Sequence, residues 1–208
     1  DYLSLEIEIA GRNELRVLPV DKITLPAGIN IGDLLGVKGS EIYRNAREET
    51  VNQLRSQPGV TWIAEDRNEE NFGLRRKNGH WYLIGRINYQ RESFLSQQDF
   101  QLNIIPPANL IVYDTLAVNW QQIKDCVPGA LDAFTSPNKD LALVKTKNKM
   151  YIYFIEGEHL AGRPMAEIEL AEGTDIIMAE WATSSYVDNW EKAFLAYGAE
   201  AVTKTAGP

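Results

Sequence analysis

Three carboxylates hold matching places along this chain. Asp33 follows Ile29-Asn30-Ile31-Gly32, Asp114 follows Leu110-Ile111-Val112-Tyr113, and Glu180 follows Ile176-Ile177-Met178-Ala179. Brought together, such side chains do general acid–base work or ligate a hard cation. Kept apart, each accepts backbone N–H bonds near a strand end or helix start, which is the ordinary use of the residue type.

The other groups with chemical potential are sparse. His80 and His159 are the only histidines and Cys126 the only cysteine. Zinc needs three or four convergent ligands, which this widely spaced set does not supply. A Ser–His–acid triad assembles in space, so spacing does not exclude one. However, no Gly-x-Ser-x-Gly elbow occurs, and Ser184-Ser185 reads as a helix start. Neither Gly-x-Gly-x-x-Gly nor a Walker loop is present. The run Asp66-Arg67-Asn68-Glu69-Glu70-Asn71 looks superficially like a calcium loop. Asn71 stands where that loop needs glycine and Lys77 where it needs glutamate, so the run reads as a solvated turn. The sequence therefore leads us to expect no catalytic residue, metal or cofactor. Asp33, Asp114, Glu180, Trp81 and Tyr151 are the candidate binding residues, the last two because Trp and Tyr anchor protein and sugar contacts. All five tryptophans are expected to pack in the core.

These residues need a frame. Over 208 residues the hydrophobic set is 44% and charged residues 24%, which excludes a disordered chain, a collagen and a coiled coil. No run of 18 apolar residues exists to span a bilayer as a helix. The net charge of −8 disfavours nucleic acid and anionic membrane surfaces as partners. A single cysteine forms no intrachain disulfide, which suits the cytosol and equally a bacterial envelope protein. The chain starts at Asp1 rather than Met, so a removed leader is expected before it, and residues 201–208 are expected to form a disordered tail.

Alternation of apolar and polar residues predicts a strand at Leu3–Ile9, a turn at Gly11-Arg12-Asn13 and a returning strand at Leu15–Leu18. Lys77-Asn78-Gly79 predicts a hairpin between Phe72–Arg76 and His80–Ile87, because Asn-Gly tolerates positive φ. Lys147-Asn148-Lys149 predicts another between Leu141–Lys145 and Met150–Ile155. Three helices are expected: Glu41–Ser56 capped by Ser40, Trp120–Cys126 with Asn119 and Gln122 as a capping box, and Tyr186–Tyr197. The stripe Tyr186, Val187, Trp190, Ala193, Phe194 and Tyr197 has helical spacing and reads as core.

Aligned blocks suggest three copies of one unit. Pro26, Ala27, Asp33, Leu35 and Val37 match Pro107, Ala108, Asp114, Leu116 and Val118 at an offset of 81, and Pro58, Gly59, Asn68, Lys77 and Asn78 match Pro128, Gly129, Asn138, Lys147 and Asn148 at an offset of 70. Residues 172–183 repeat the pattern of 106–117, and Asn119-Trp120 returns as Asn189-Trp190. The expected fold is α+β and β-rich: a single domain over 1–208 with repeats at about 3–66, 67–137 and 138–200, each a four-stranded antiparallel unit plus one helix. A propeller-like ring and sheets packed with helices are both open.

The run Ala133-Phe134-Thr135-Ser136-Pro137-Asn138-Lys139-Asp140 through Tyr151-Ile152-Tyr153 resembles a β-propeller blade, and the tail of the chain is similar in style to secreted, lipoprotein-type bacterial proteins. The resemblance implies antiparallel four-stranded units and an extracytoplasmic location, secreted or lipid-anchored, with a cytoplasmic location as the alternative. The expected function is a non-catalytic binding or interaction module, monomeric, with a protein or glycan of the cell envelope as partner. The alternatives are a hydrolase using the repeated carboxylates and a purely structural domain of a larger chain.

Overall fold

The computed structural model describes residues 2–24, 28–66, 68–112 and 114–199. The described residues form an α+β, strand-rich fold with three α-helices and antiparallel sheets. The chain divides into two compact units, residues 1–77 with 81–112, and residues 78–80 with 113–208.

The first unit opens with the hairpin β1 (Tyr2–Ile9) and β2 (Arg12–Pro19), paired from Tyr2↔Pro19 to Ile9↔Arg12. The turn is Ala10-Gly11, one step earlier than expected. Both residues have positive φ, 51° and 76°, the twist that suits a two-residue hairpin. Helix α1 (Ile31–Arg55) begins ten residues before the expected Glu41. Asn30, not Ser40, caps it: its side chain accepts from Asp33 N while Asp33 reaches back to Asn30 N. Gly36 interrupts the helix at φ 68°, which lets a short first turn precede the main rod. The sheet follows, with β3 (Val60–Ile63), β4 (Phe72–Lys77), β5 (His80–Arg91) and β6 (Phe94–Gln101). β6 pairs along one edge of β5, from Ile84↔Gln101 to Arg91↔Phe94. β3 and β4 share the opposite edge, β3 taking its C-terminal end through Val60↔Arg91 and Ile63↔Tyr89. Val17, Ile31, Tyr43, Leu54, Phe72, Leu83 and Ile87 form the heart of the core between α1 and the sheet.

The second unit contains α2 (Trp120–Cys126), capped by Asn119 Oδ1 accepting from Gln122 N at 2.9 Å. Its strands are β7 (Asp132–Thr135), β8 (Leu141–Lys145), β9 (Lys149–Glu156), β10 (His159–Leu160) and β11 (Ala166–Glu169). The turn after β7 is tied by Ser136, whose Oγ accepts from Asp140 N and Leu141 N and donates to the Asp140 carboxylate at 2.5 Å. β8 pairs one edge of β9, and β11 and β10 share the other, β10 at the C-terminal end. Val118, Ile123, Ala133, Ala142 and Val144 are fully packed at its centre.

Helix α3 (Ser185–Ala196) lies within one residue of its expected span, but its stripe is not core. None of its residues is buried, and Tyr186, Val187, Phe194 and Leu195 are all at least half exposed. Helical periodicity identifies an amphipathic element, whereas burial needs a second surface to meet it. The tryptophans correct the expectation in part: none is fully buried and Trp62 is exposed at 36%, while Trp120 packs half-buried against the core of the second unit. The three segments aligned around Asp33, Asp114 and Glu180 also differ locally. The first is helical, whereas 114–118 and 174–183 carry no helix or strand.

Candidate functional site

In the first unit, the shared edge of β5 creates a gap. Asn88 O accepts from Ala64 N at 2.8 Å just past β3, and Arg86 N donates to Asn71 O at 3.0 Å just before β4. Between those two anchors the chain leaves the sheet. The result is a cleft with a cavity volume of about 310 Å³. Arg86 and Asn88 lie along its floor, Arg12, Glu14 and Arg16 of β2 form one wall, and Arg47 of α1 with Glu65 and Asp66 of the loop form another.

Strand alternation explains the β2 wall. Arg12, Glu14 and Arg16 share one face of β2, while Leu15 and Val17 on the other are buried. The hairpin is held in place by polar anchors: Leu15 N donates to Asn71 Oδ1 at 2.8 Å, and Asn88 Nδ2 donates to Asn13 O at 3.1 Å. Arg47 points its guanidinium to the Ala64 carbonyl, which fixes the start of the loop. Tyr43, one helical turn earlier, donates to Asp66 Oδ2 at 2.5 Å and to Asn71 O at 3.1 Å. Asp66 therefore packs on the helix, which corrects the reading of this run as a solvated turn. Burial, with Asp66 beside it, pushes the Tyr43 hydroxyl well above the usual tyrosine range, so it stays a proton donor.

Arg86 is 2% exposed and fully engaged. Its Nε donates to Asp99 Oδ1 at 2.6 Å, its Nη2 to Asp99 Oδ2 at 3.1 Å, and its Nη1 to Glu6 Oε1 at 2.5 Å. Burial alone opposes its charge, but these hydrogen bonds outweigh that and hold the guanidinium charged. Burial likewise opposes the Asp99 charge, and the bonds from Arg86 and Arg75 outweigh it, holding the carboxyl below its usual range. Arg16 pairs with Glu14 at 2.5 Å and Glu70 at 3.3 Å. The Nε atoms of Arg16 and Arg47 are buried and hydrogen-bond to no described group. Leaving such donors unpaired costs on the order of 1–3 kcal/mol each, more when charged. Arg12 places its guanidinium carbon 4.6 Å from the centre of the Trp62 ring, a cation–π contact that leaves its N–H groups at the rim.

The residues singled out from the sequence lie elsewhere. Asp33 is the N3 residue of α1 and is used in its capping box. Asp114 belongs to the second unit, where its backbone carbonyl is 3.2 Å and its carboxylate 3.9 Å from His80 Nδ1. Glu180 is exposed in the segment before α3. Trp81 carries the Arg76 guanidinium 5.5 Å from its ring centre. Tyr151 lies on β9, its ring 6.3 Å from that of Tyr153. Among the described residues, no group of three His, Cys, Asp or Glu side chains is placed to hold a metal ion. The cleft arginines were not singled out. The signal that finds them is the charge alternation Arg12-x-Glu14-x-Arg16 on a strand whose other face is apolar.

Chemically the cleft is lined by ionised, hydrogen-bonded groups, and the buried side-chain groups left unsatisfied among the described residues are donors. Comparison with protein families, with curated proteins and with solved structures finds no match to this chain.

Proposed function

We propose that the chain is a non-catalytic binding module of a bacterial envelope or secreted protein, working outside the cytoplasm, and that the arginine-lined cleft of the first unit receives its ligand. The observation that carries this reading is the pair of buried guanidinium Nε donors, on Arg16 and Arg47, left without an acceptor beside a concave polar cavity. A folded chain seldom leaves buried charged donors unpaired, and a ligand that brings acceptors relieves the cost. The volume suits a small molecule or the tip of a larger one, such as a glycan or peptide end. Because both Nε atoms are shielded in this arrangement, the ligand reaches them by displacing the arginine side chains.

The test is a mixed fragment set, with acidic, basic and neutral members, titrated into ¹⁵N-labelled protein. Amide shifts centred on Ala64–Asp66 and Arg86–Asn88 are expected. A set that shifts no amide in these segments overturns the reading, and turnover of chromogenic ester, phosphate or glycoside substrates overturns its non-catalytic part. For location, recovery of the native protein from the soluble cytoplasm on cell fractionation refutes the extracytoplasmic assignment.

The finer fold we propose is three copies of a four-stranded unit plus helix, set radially or side by side. Its support is the set of residues matched at offsets of 81 and 70, beside a likeness in outline of two sheets whose strands come in opposite order along the chain. In each, a long central strand, β5 or β9, has one continuous neighbour and two short strands sharing the other edge. In each, the loop joining the short strands borders a cavity, the second lined by Phe154, Arg163 and Met165.

A further inference from the structure

One long strand edge of the first unit is open. The contacts of β2 show which way its main chain points. Asn13 O accepts from Asn88 Nδ2, Leu15 N donates to Asn71 Oδ1, and Val17 O accepts from Ile29 N. These alternate residues of β2 therefore turn away from β1. Hydrogen-bonded pairs alternate along an antiparallel ladder. In the register Tyr2↔Pro19 to Ile9↔Arg12, Leu3, Leu5, Ile7 and Ile9 are then the residues bonded to β2. Tyr2, Ser4, Glu6 and Glu8 aim their N–H and C=O groups at the other side. Among the described residues, no hydrogen bond occupies those groups.

Proteins guard such edges with lysine, proline, bulges or short strands. β1 uses none of these: it runs eight residues in unbroken register, without lysine or proline. By contrast, β3, β7, β10 and β11 are four residues or shorter, β4 carries Arg75, Arg76 and Lys77, and β6 offers Ser96-Gln97-Gln98-Asp99. Of the two carboxylates on β1, Glu6 is held by Arg86 at 2.5 Å. The aliphatic row Leu3, Leu5, Ile7 and Ile9 keeps part of its surface in water, with Leu3 exposed at 41% and Ile9 at 43%.

We propose that β1 is a homodimer interface, pairing antiparallel with β1 of a second copy about a two-fold axis at Leu5. The strand complements itself in this register. Tyr2 meets Glu8 and Ser4 meets Glu6, the residues with open main-chain groups, so the ladder closes from both copies. Leu3 meets Ile7 and Leu5 meets its own copy, which joins the aliphatic rows across the axis. No carboxylate faces a carboxylate. An axis at Glu6 sets Glu6 against Glu6, and an axis at Ser4 leaves Glu8 outside the ladder. An axis between two residues sets an open main-chain group against one already bonded to β2. This dimer takes the place of the monomer expected from the sequence, and it does not depend on the cleft or its ligand.

The experiment is sedimentation velocity of the full chain from micromolar to near-millimolar concentration, where a dimer is expected to form. Leu5→Lys sets like charges opposite each other at the axis and is expected to raise the dissociation constant about tenfold or more. Glu8→Pro removes a donor at the open edge without touching a β1–β2 bond, and weakens the dimer in the same direction if Leu5→Lys does not fold. Ile105→Lys, at a side chain 90% exposed outside the hairpin, is expected to leave the dimer as it is. Single cysteines in a Cys126→Ser background read the register. Oxidised glutathione is expected to link Leu5→Cys into a covalent dimer, because non-hydrogen-bonded partners stand about 4.5 Å apart at Cα, within disulfide reach. Glu8→Cys, whose counterpart is Tyr2, is expected to stay unlinked. A chain that stays monomeric throughout overturns the inference, as does a dimer that Leu5→Lys and Glu8→Pro leave intact. So does a dimer weakened as much by Ile105→Lys, or one linked through Glu8→Cys in place of Leu5→Cys.

Discussion

Arg86 and Asp99 face each other directly across β5 and β6 and are joined by two hydrogen bonds, Nε to Oδ1 at 2.6 Å and Nη2 to Oδ2 at 3.1 Å. Their register on adjacent strands makes the bidentate geometry automatic. Together with Glu6 they place a charged pair beneath the cleft, with Arg86 2% exposed.

Removing one partner strands the other. Asp99→Ala is expected to destabilise the protein by about 3 kcal/mol, the low end for breaking a buried pair because Glu6 still holds Arg86. Replacing both, as Arg86→Met with Asp99→Leu, is expected to cost less than the single change. Urea unfolding of the three variants checks this, and a double variant worse than Asp99→Ala refutes it.

Gly85 sits opposite Phe100 in the same ladder, and its bare backbone is what the ring packs on. A Cβ at this position would lie 2.2 Å from the Phe100 Cζ atom. Gly85→Ala is therefore expected to cost about 2 kcal/mol through overpacking. Adding Phe100→Leu, which withdraws the ring, is expected to recover part of that loss in thermal unfolding. A neutral Gly85→Ala would show that the ring moves freely.

Two tyrosines give the protein an alkaline limit. Burial pushes Tyr153 up to about 12, with Cys126 beside it adding to the rise, and burial with Asp66 raises Tyr43 as well. A pKa raised on folding contributes stability that is complete below the ordinary tyrosine value of 10.0 and is lost as pH rises through the folded value. Stability is expected to fall between pH 10 and 12, by up to about 1.4 kcal/mol per pH unit for each group. Denaturant midpoints measured at pH 9 and pH 11 check the slope, and Tyr43→Phe or Tyr153→Phe should flatten it.

The exposed stripe of α3 makes a contrasting prediction. Phe194 is 59% exposed and stacks edge-on with Trp190 at 6.3 Å. Phe194→Ala is expected to change stability by no more than about 0.5 kcal/mol, as for an ordinary surface site. A loss of several kcal/mol on thermal unfolding would mean that the stripe is core after all.

Much of the local structure was legible. Asn78-Gly79 marked its hairpin because few residue pairs accept two positive φ values, and the structure has them at 55° and 80°. Asn119 marked the start of α2 because a short polar side chain there captures a free N–H. The start of α1 was missed because the signal sat in Asn30 and Asp33, and Ser40 before Glu41 offers a second cap of the same kind. Of the cleft, only the β2 wall was legible, in the alternation Arg12-x-Glu14-x-Arg16. Its residues come from β2, α1, the 64–71 loop and β5, and no local pattern ties Arg12 to Arg47 or Asn88.

By itself, then, the sequence determined the periodicities: which stretches are strands, which turns are tight, which helix has an apolar side and how acidic the chain is. These depend on neighbours within a few residues, where alternation and capping act directly. Tertiary structure alone decided that β3 and β4 share one edge of β5, leaving the gap at Arg86–Asn88. It alone decided that the aligned carboxylates take different local structures, and that the stripe of α3 stays exposed. Burial and pairing depend on which distant surface arrives, and a residue's own pattern carries no record of its partner.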